Sequence, residues 1–385
     1  MIINRSQILR TPGPTPIPEQ VQKAMSQPMI GHRGKGFSEL FQSVTPRLKP
    51  IFGTSQEIFL LTGSGTSALE AAVVNTVAPG DEVVVVVTGN FGARFADICE
   101  AYQIVVHRLE VEWGRACHPD ALKTFLKSKK NIKAVFVTHC ETSTGVLNPI
   151  GDLASVIHEN SDALVIVDTV SSAGGTPVNM DKDGLDVVVS GSQKAFMLPP
   201  GLAFITLSEN AWKAVERTPS KGFYLNLEAY KTNAEKGMTP YTPALSLIYG
   251  LDEALRMMEE EGLDNVFRRH ETLMKMTRAA SQALGLSLLT TDEEASPTVT
   301  AIQGTATLDS EAVRQTALKT FNLVLAGGQK RLKGKIFRIG HMGAITPAEL
   351  LQTLILLEFS LFKMGYPVSF GTAAKAAEEV LKNEL

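Results

Sequence analysis

Cysteine is scarce in this chain: Cys99, Cys117 and Cys140 are the only three in 385 residues, and none stands in a CxxC or Cys/His spacing. A disulfide framework, a zinc site and an iron-sulfur cluster all need closely spaced ligands, so none of them is supported. A reducing cytoplasm is the expected compartment, and no metal is expected. Positive charge is not in excess either, since 37 Lys and Arg against 40 Asp and Glu leave a net charge of −3. Without a broad cationic field there is nothing to hold a polyanion, which argues against nucleic acid as a partner. The opening residues MIINRSQILRTPGPTPIP contain no apolar signal-peptide core, and no apolar run is long enough to cross a bilayer. No membrane partner is expected.

What is present is ordinary for a globular enzyme, with 44% hydrophobic and 20% charged residues. From about residue 57 to 208, short apolar runs alternate with amphipathic stretches: EIFLLTG, TSALEAAVVNTVA, DEVVVVVTG, FGARFADICEAY, IKAVFVTHC, ALVIVD, DVVVSGS and GLAFITLS. Near-continuous apolar strands separated by helices predict a mostly parallel sheet covered on both faces, an α/β fold. After residue 244 come long helical segments and then strand candidates around TVTAIQG, NLVLAGG and KIFRIG, the pattern of a small α+β domain. The expected organisation is an extended, proline-stiffened segment over 1–14, a large domain over 15–262, a small one over 263–365 and a helical tail over 366–385 that lies on the surface.

Asp168 and Lys194 each stand at the carboxyl end of an expected strand, the edge where open α/β sheets bind ligands. A lysine after an apolar strand and near a carboxylate suits imine chemistry, because desolvation lowers an amine's pKa and makes it nucleophilic. Alone, Lys194 reads better as an exposed lysine that starts a loop, and Asp168 reads as a cap on the following turn. The glycine-rich turn TGSGTSALE matches neither GxGxxG nor GxxxxGK[ST], against a dinucleotide or nucleoside triphosphate, yet Ser64, Gly65 and Thr66 would present amides to a phosphate. Phe91 could stack on a planar ring or belong to the core. Arg338, inside the apolar strand KIFRIG, needs a partner, for which a substrate carboxylate and a structural Asp or Glu both qualify.

The ordered set TPGPTPIP, GHRG, GSGTSALE, GNFGAR, ETSTGV, VDTVSS, SGSQKAFMLPPG, TPYTPA and FRIGHMG resembles the class V aminotransferases, in particular the serine:pyruvate and alanine:glyoxylate group, over residues 10 to 360. The resemblance implies the fold type I architecture of pyridoxal-phosphate enzymes, with a seven-stranded sheet in the large domain. It implies that Lys194 forms a Schiff base with pyridoxal 5'-phosphate, that Asp168 pairs with the pyridine nitrogen, and that Ser64, Gly65, Thr66 and Gln193 hold the phosphate. Phe91 would stack on the ring where relatives often carry tryptophan, and Ser143 would reach the cofactor's phenolic oxygen. Arg338 would clamp the substrate carboxylate, while Pro12 and Gly13 narrow the pocket above it. Thr239 and Thr242 would reach the phosphate of a neighbouring subunit, which implies a homodimer.

The expected reaction is a ping-pong transfer from a small amino acid, alanine or serine, to a small 2-oxo acid, glyoxylate or pyruvate. Small substrates are favoured by the stiff loop near the site and by the lack of an evident second arginine for a side-chain carboxylate. The alternatives are a different donor, of ureidoglycine or phosphonate type, and a non-catalytic accessory subunit. A cysteine desulfurase would need a late reactive thiol, and no cysteine follows Cys140.

Overall fold

The computed structural model describes residues 7–219 and 222–384; the first six residues of the expected extended segment and the last of the expected tail lie outside them. In chain order the strands are β1 (Ile8–Arg10), β2 (Ile58–Gly63), β3 (Glu82–Val87), β4 (Val105–Glu110), β5 (Ile132–Thr138), β6 (Cys140–Glu141), β7 (Val146–Leu147), β8 (Leu164–Asp168), β9 (Val187–Gly191), β10 (Gly201–Leu207), β11 (Val299–Gln303), β12 (Leu323–Gly327) and β13 (Ile336–Gly340). Seven of them form one sheet in the order β2-β10-β9-β8-β5-β3-β4, parallel throughout except for β10, which runs antiparallel to both neighbours.

The run EVVVVV of β3 shows why this sheet is central. Val83, Val85 and Val87 pack into the core on one face, and Val84 and Val86 into the core on the other. Period-two alternation puts neighbours on opposite faces, so only a strand covered twice can be apolar throughout. Each such side chain contributes on the order of 1.5–3 kcal/mol by leaving water. The one large-sheet strand that the apolar runs did not announce is β4, at the sheet edge, where His107, Arg108 and Glu110 break up the apolar residues Val105, Val106 and Leu109.

The crossover after β3 leads to β4 on one side, whereas the strand after β4 is β5, on the other side of β3. Such a reversal opens a crevice at the carboxyl ends of the strands. Gly63, Val87, Thr138, Asp168 and Gly191 all end strands at that edge.

A second sheet, β1-β12-β13-β11, is packed against the helices Leu263–Ala283, Ser310–Phe321 and Pro347–Lys363 around its own core. Two of its features depart from the expected organisation. The amino-terminal strand β1 pairs in parallel with β12, Ile8 to Leu323 and Arg10 to Leu325, so residues 8–10 of the opening segment are a strand of this sheet. The carboxyl-terminal helix Thr372–Glu384 is not merely laid on the surface, because Ala373 and Ala377 are fully buried in the same core.

Gly340 ends β13 where Thr11 and Pro12 pass overhead; a Cβ there would stand 2.4 Å from the Thr11 carbonyl oxygen and 2.6 Å from the Pro12 nitrogen. Backbone cannot yield as a flexible side chain does. Gly340→Ala should therefore lower the melting temperature, with a loss of roughly 1–3 kcal/mol. A melt that matches the parent's would show that the segment above β13 is free to move.

Candidate active site

Lys194 follows β9 by three residues, in a turn held from above by the amino-terminal segment. The Thr15 amide donates to the Gln193 carbonyl at 3.2 Å, and the Thr15 hydroxyl to the Lys194 carbonyl at 2.9 Å. The Lys194 amine donates to the Pro12 carbonyl. At Gly13, where φ is +108°, a Cβ would come within 2.6 Å of Nζ, so glycine is what lets the segment close over the amine. Burial pushes the Lys194 amine down to about 8; the charges of Arg338 and Arg94 act the same way, and Cys140 and Asp168 oppose them.

Asp168 ends β8 and accepts the Val170 amide at 2.8 Å. Burial pushes its carboxyl up to about 6, the Val170 hydrogen bond pulls it down, and the Glu141 charge adds to the rise. An amine lowered toward neutrality thus shares a cavity of about 310 Å³ with an acid raised toward it.

The rest of that cavity matches what pyridoxal phosphate requires. Ser64, Gly65 and Thr66 line it at the start of the helix Gly65–Thr76, and the Ser64 side chain makes no capping hydrogen bond. The hydroxyl and the first amides of that helix are therefore available to an anion, in the favourable direction of the helix dipole. Gln193 lines the cavity with a buried Oε1 that has no hydrogen-bond partner among the described residues. Turned about its last bond, the same amide presents N–H to a phosphate oxygen. Phe91 lies on the wall, and the Arg94 guanidinium sits 4.8 Å from its ring centroid. An amine for an aldehyde, an acid for a ring nitrogen and amides for a phosphate surround one space. A larger cavity, about 730 Å³, opens at the opposite sheet edge between Asp81, Lys133, Asp162 and Arg217, and gathers no such set.

Other candidates are placed differently. Ser143 does not line the cavity: it is fully buried, its hydroxyl donating to Glu141 and accepting the Asn90 amide. Thr142, one residue earlier, stands on the wall instead, its hydroxyl 2.5 Å from that of Ser171. The reason is the tight turn after β6, where successive side chains leave in different directions. Arg338 is buried one hydrogen bond behind this wall. Its Nη1 donates to the Thr142 carbonyl at 2.7 Å, and Nε and Nη2 donate to the Gly327 carbonyl at 3.1 and 2.7 Å. Backbone carbonyls, not a carboxylate, are thus its hydrogen-bond partners within the chain.

Burial pushes the Arg338 guanidinium down to about 10, against the Glu141 charge, and it remains a cation at neutral pH. Thr239 and Thr242 are not at the Lys194 cavity of their own chain. The Thr239 hydroxyl donates to the Tyr241 carbonyl at 2.7 Å, and Thr242 lines a separate cleft with Ile30 and His32. Arg33 holds this loop by donating to the Thr239 and Pro240 carbonyls at 2.6 and 2.9 Å.

Three contributors escaped the motif reading. Thr15 carries the contact to Lys194, Arg94 puts an arginine on the wall itself, and Glu141 lies beneath the start of the helix Asn90–Ala101. The signal for Glu141 was an acidic residue directly after an apolar strand, inside ETSTGV.

The sequence model of the family described as Aminotransferase class-V matches residues 8–335. An uncharacterized aminotransferase of Methanocaldococcus jannaschii is 46% identical over 98% of this chain and 98% of its own. A soluble hydrogenase small subunit of Synechococcus is 43% identical over 97% and 98%, and a serine–glyoxylate aminotransferase of Methylorubrum extorquens 38% identical over 97% and 96%. Among solved structures, the ureidoglycine-glyoxylate aminotransferase of Bacillus subtilis superposes with a TM-score of 0.92 at 30% identity, covering 99% of this chain and 100% of that one. The alanine–glyoxylate aminotransferase of a Nostoc species gives 0.89 at 30% identity, over 94% and 96%.

Below about 8 the Lys194 amine is protonated and cannot attack an aldehyde; above it the amine is neutral. The rate at which apoprotein takes up pyridoxal phosphate should rise with pH through that value and then level off, with Lys194→Ala showing no uptake that borohydride can fix. Stopped-flow absorbance checks it; a rate flat across the range, or a borohydride label on another peptide, would refute the assignment.

Proposed function

The chain belongs to the class-V aminotransferases, pyridoxal-phosphate-dependent enzymes that act on amino and 2-oxo acids, and from there we propose that it moves the amino group of alanine or serine to glyoxylate or pyruvate. The observation that carries the reading is the buried amine of Lys194 facing Asp168 in one cavity beside the start of a helix. When bound there, the cofactor supplies an electron-withdrawing ring that makes the proton on the amino acid's α-carbon removable.

The chain's own groups do the rest. Lys194 Nζ holds the cofactor and, once released, takes the proton from the substrate's α-carbon and returns one, as base and then acid. Its lowered proton affinity suits both directions at neutral pH. Asp168 would keep a proton at the ring nitrogen, while Ser64, Gly65, Thr66 and Gln193 would hold the phosphate and Phe91 would face the ring. Thr142, which lines the cavity where the buried Ser143 does not, would offer its hydroxyl to the cofactor's phenolic oxygen.

Arg338 orients the substrate carboxylate. Its guanidinium carries five N–H groups, of which the backbone bonds use three. One N–H remains on each terminal nitrogen, the fork that a carboxylate takes in a bidentate pair. Pro12 and Gly13 roof the amine and exclude water, leaving room for a short side chain. Thr239 and Thr242 serve the phosphate of a second copy, so the working unit is a homodimer; that neither lines the cavity of its own chain's Lys194 supports this. The cytoplasm is the proposed location.

A second donor class has one observation in its favour. Arg94 lines the cavity, and among the described residues its guanidinium makes contact with the Phe91 ring and no ion pair. A donor with an acidic side chain, such as aspartate, would find a cation there. The hydrogenase description of the Synechococcus relative is harder to accommodate: Cys99, Cys117 and Cys140 are all buried, and among the described residues no His, Cys, Asp and Glu group could hold a metal ion.

Spectra of the cofactor-loaded protein mixed with single amino acids separate the donors. Alanine and serine should convert it to the aminated form within a turnover; conversion by aspartate alone would move the reading to acidic donors. Arg338→Ala should raise KM for amino acid and oxo acid together by about ten- to a hundredfold, the loss of charge-assisted hydrogen bonds of about 1.5–3 kcal/mol. Unchanged KM values would assign the carboxylate to another group.

A further inference from the structure

Glu141 is a carboxylate with no exposed surface and, among the described residues, no lysine or arginine bonded to it. Its four donors are the amides of Phe91, Gly92 and Ser143, at 3.0, 3.0 and 3.1 Å, and the Ser143 hydroxyl. Two of these belong to the first turn of the helix Asn90–Ala101. The residue before that helix is Gly89, which has no side chain to cap with, so an acid from the end of a neighbouring strand supplies the acceptor and the negative charge. The approach is close, for a Cβ on Gly89 would stand 2.4 Å from Glu141 Cγ.

The other two donors fix the turn that follows Glu141. Ser143 closes the junction from its own side, because its hydroxyl accepts the Asn90 amide at 2.9 Å. One carboxylate therefore ties the helix bearing Phe91 and Arg94 to the turn whose Thr142 lines the cavity and bonds Arg338. Asn90 carries the tie outward, donating from Nδ2 to Gln329 at 2.9 Å, two residues beyond the Gly327 that also holds Arg338.

We propose that Glu141 is a positioning residue of this active site: by bonding the helix start and the turn together, it sets the placement of the Phe91 wall relative to the arginine that receives the substrate carboxylate. The inference rests on the reading that this cavity takes pyridoxal phosphate and that Arg338 binds substrate. Burial raises the proton affinity of Glu141, its four hydrogen bonds lower it, and its charge in turn supports the buried Arg338 cation. Glutamine is a near-isostere that cannot substitute, since whichever end carries the NH2 group faces amide donors about 3 Å away.

The test compares parent and Glu141→Gln as apoprotein and holoenzyme. Titration with pyridoxal phosphate should give a dissociation constant raised about five- to tenfold, the loss of one strong cap. The circular-dichroism band of the bound cofactor should weaken, and KM for both substrates should rise by a larger factor than kcat falls. Far-ultraviolet dichroism reports whether the variant is folded. If it is not, Ser143→Ala, which removes one donor and the Asn90 acceptor, should show the same pattern to a lesser extent. A folded Glu141→Gln, or Ser143→Ala in its place, with the parent's cofactor affinity, dichroism and KM overturns the proposal. Borohydride fixation of the cofactor to Lys194 in the parent keeps the two questions apart: if the parent is not labelled the site reading has failed, and if it is labelled while the variant behaves as parent this inference alone has.

Discussion

The chemistry at this sheet edge depends on keeping water away from the Lys194 nitrogen. Two parts of the chain far apart in sequence do it: β9 delivers the lysine, and residues 11–15 cover it, with the Pro12 carbonyl as the amine's acceptor. Were that segment to lift, the amine would regain its hydration and with it a proton affinity suited to an inert surface lysine. The same exclusion raises Asp168, so one cause prepares both partners.

Much of this was legible in the sequence where the physics is local. Five valines in a row admit only a strand covered on both faces, and the glycine-rich turn after β2 marks an anion-binding helix start. Lys194, Asp168, Ser64, Gly65, Thr66, Phe91 and Gln193 meet in one cavity because strand ends at one edge of a parallel sheet must be near each other. What escaped was set by contacts no window contains. The turn after β6 put Thr142 on the wall and turned Ser143 inward, a one-residue difference that depends on backbone direction. The partners of Glu141 include amides fifty positions away, and those of Arg338 are carbonyls, which carry no sequence signature at all. Strand β4 was hidden by its position, since a strand at the sheet edge stays partly exposed and tolerates polar residues such as His107, Arg108 and Glu110.

Charge is handled in the same economical way throughout the site. Lys194, Asp168, Glu141 and Arg338 are all buried, and a buried charge without compensation is strongly disfavoured. Backbone groups supply most of that compensation: amides for the two acids, carbonyls for the lysine and the arginine. Backbone dipoles are held rigidly by the strands and helix starts, so they do not relax when charge moves during a reaction. Side-chain ion pairs lie away from this site, as in the Arg47, Asp252 and Glu259 group.

The parallel pairing of β1 with β12 gives the amino-terminal segment a mechanical meaning. Its strand is anchored in the smaller sheet at Ile8–Arg10, and a few residues later it is fastened to Gln193 and Lys194 of the larger one. Only residues 11–14 separate the two attachments. Any rocking of the smaller sheet would be transmitted as tension on the amine's own acceptor, so the two halves of the molecule can share a signal without a hinge element devoted to it.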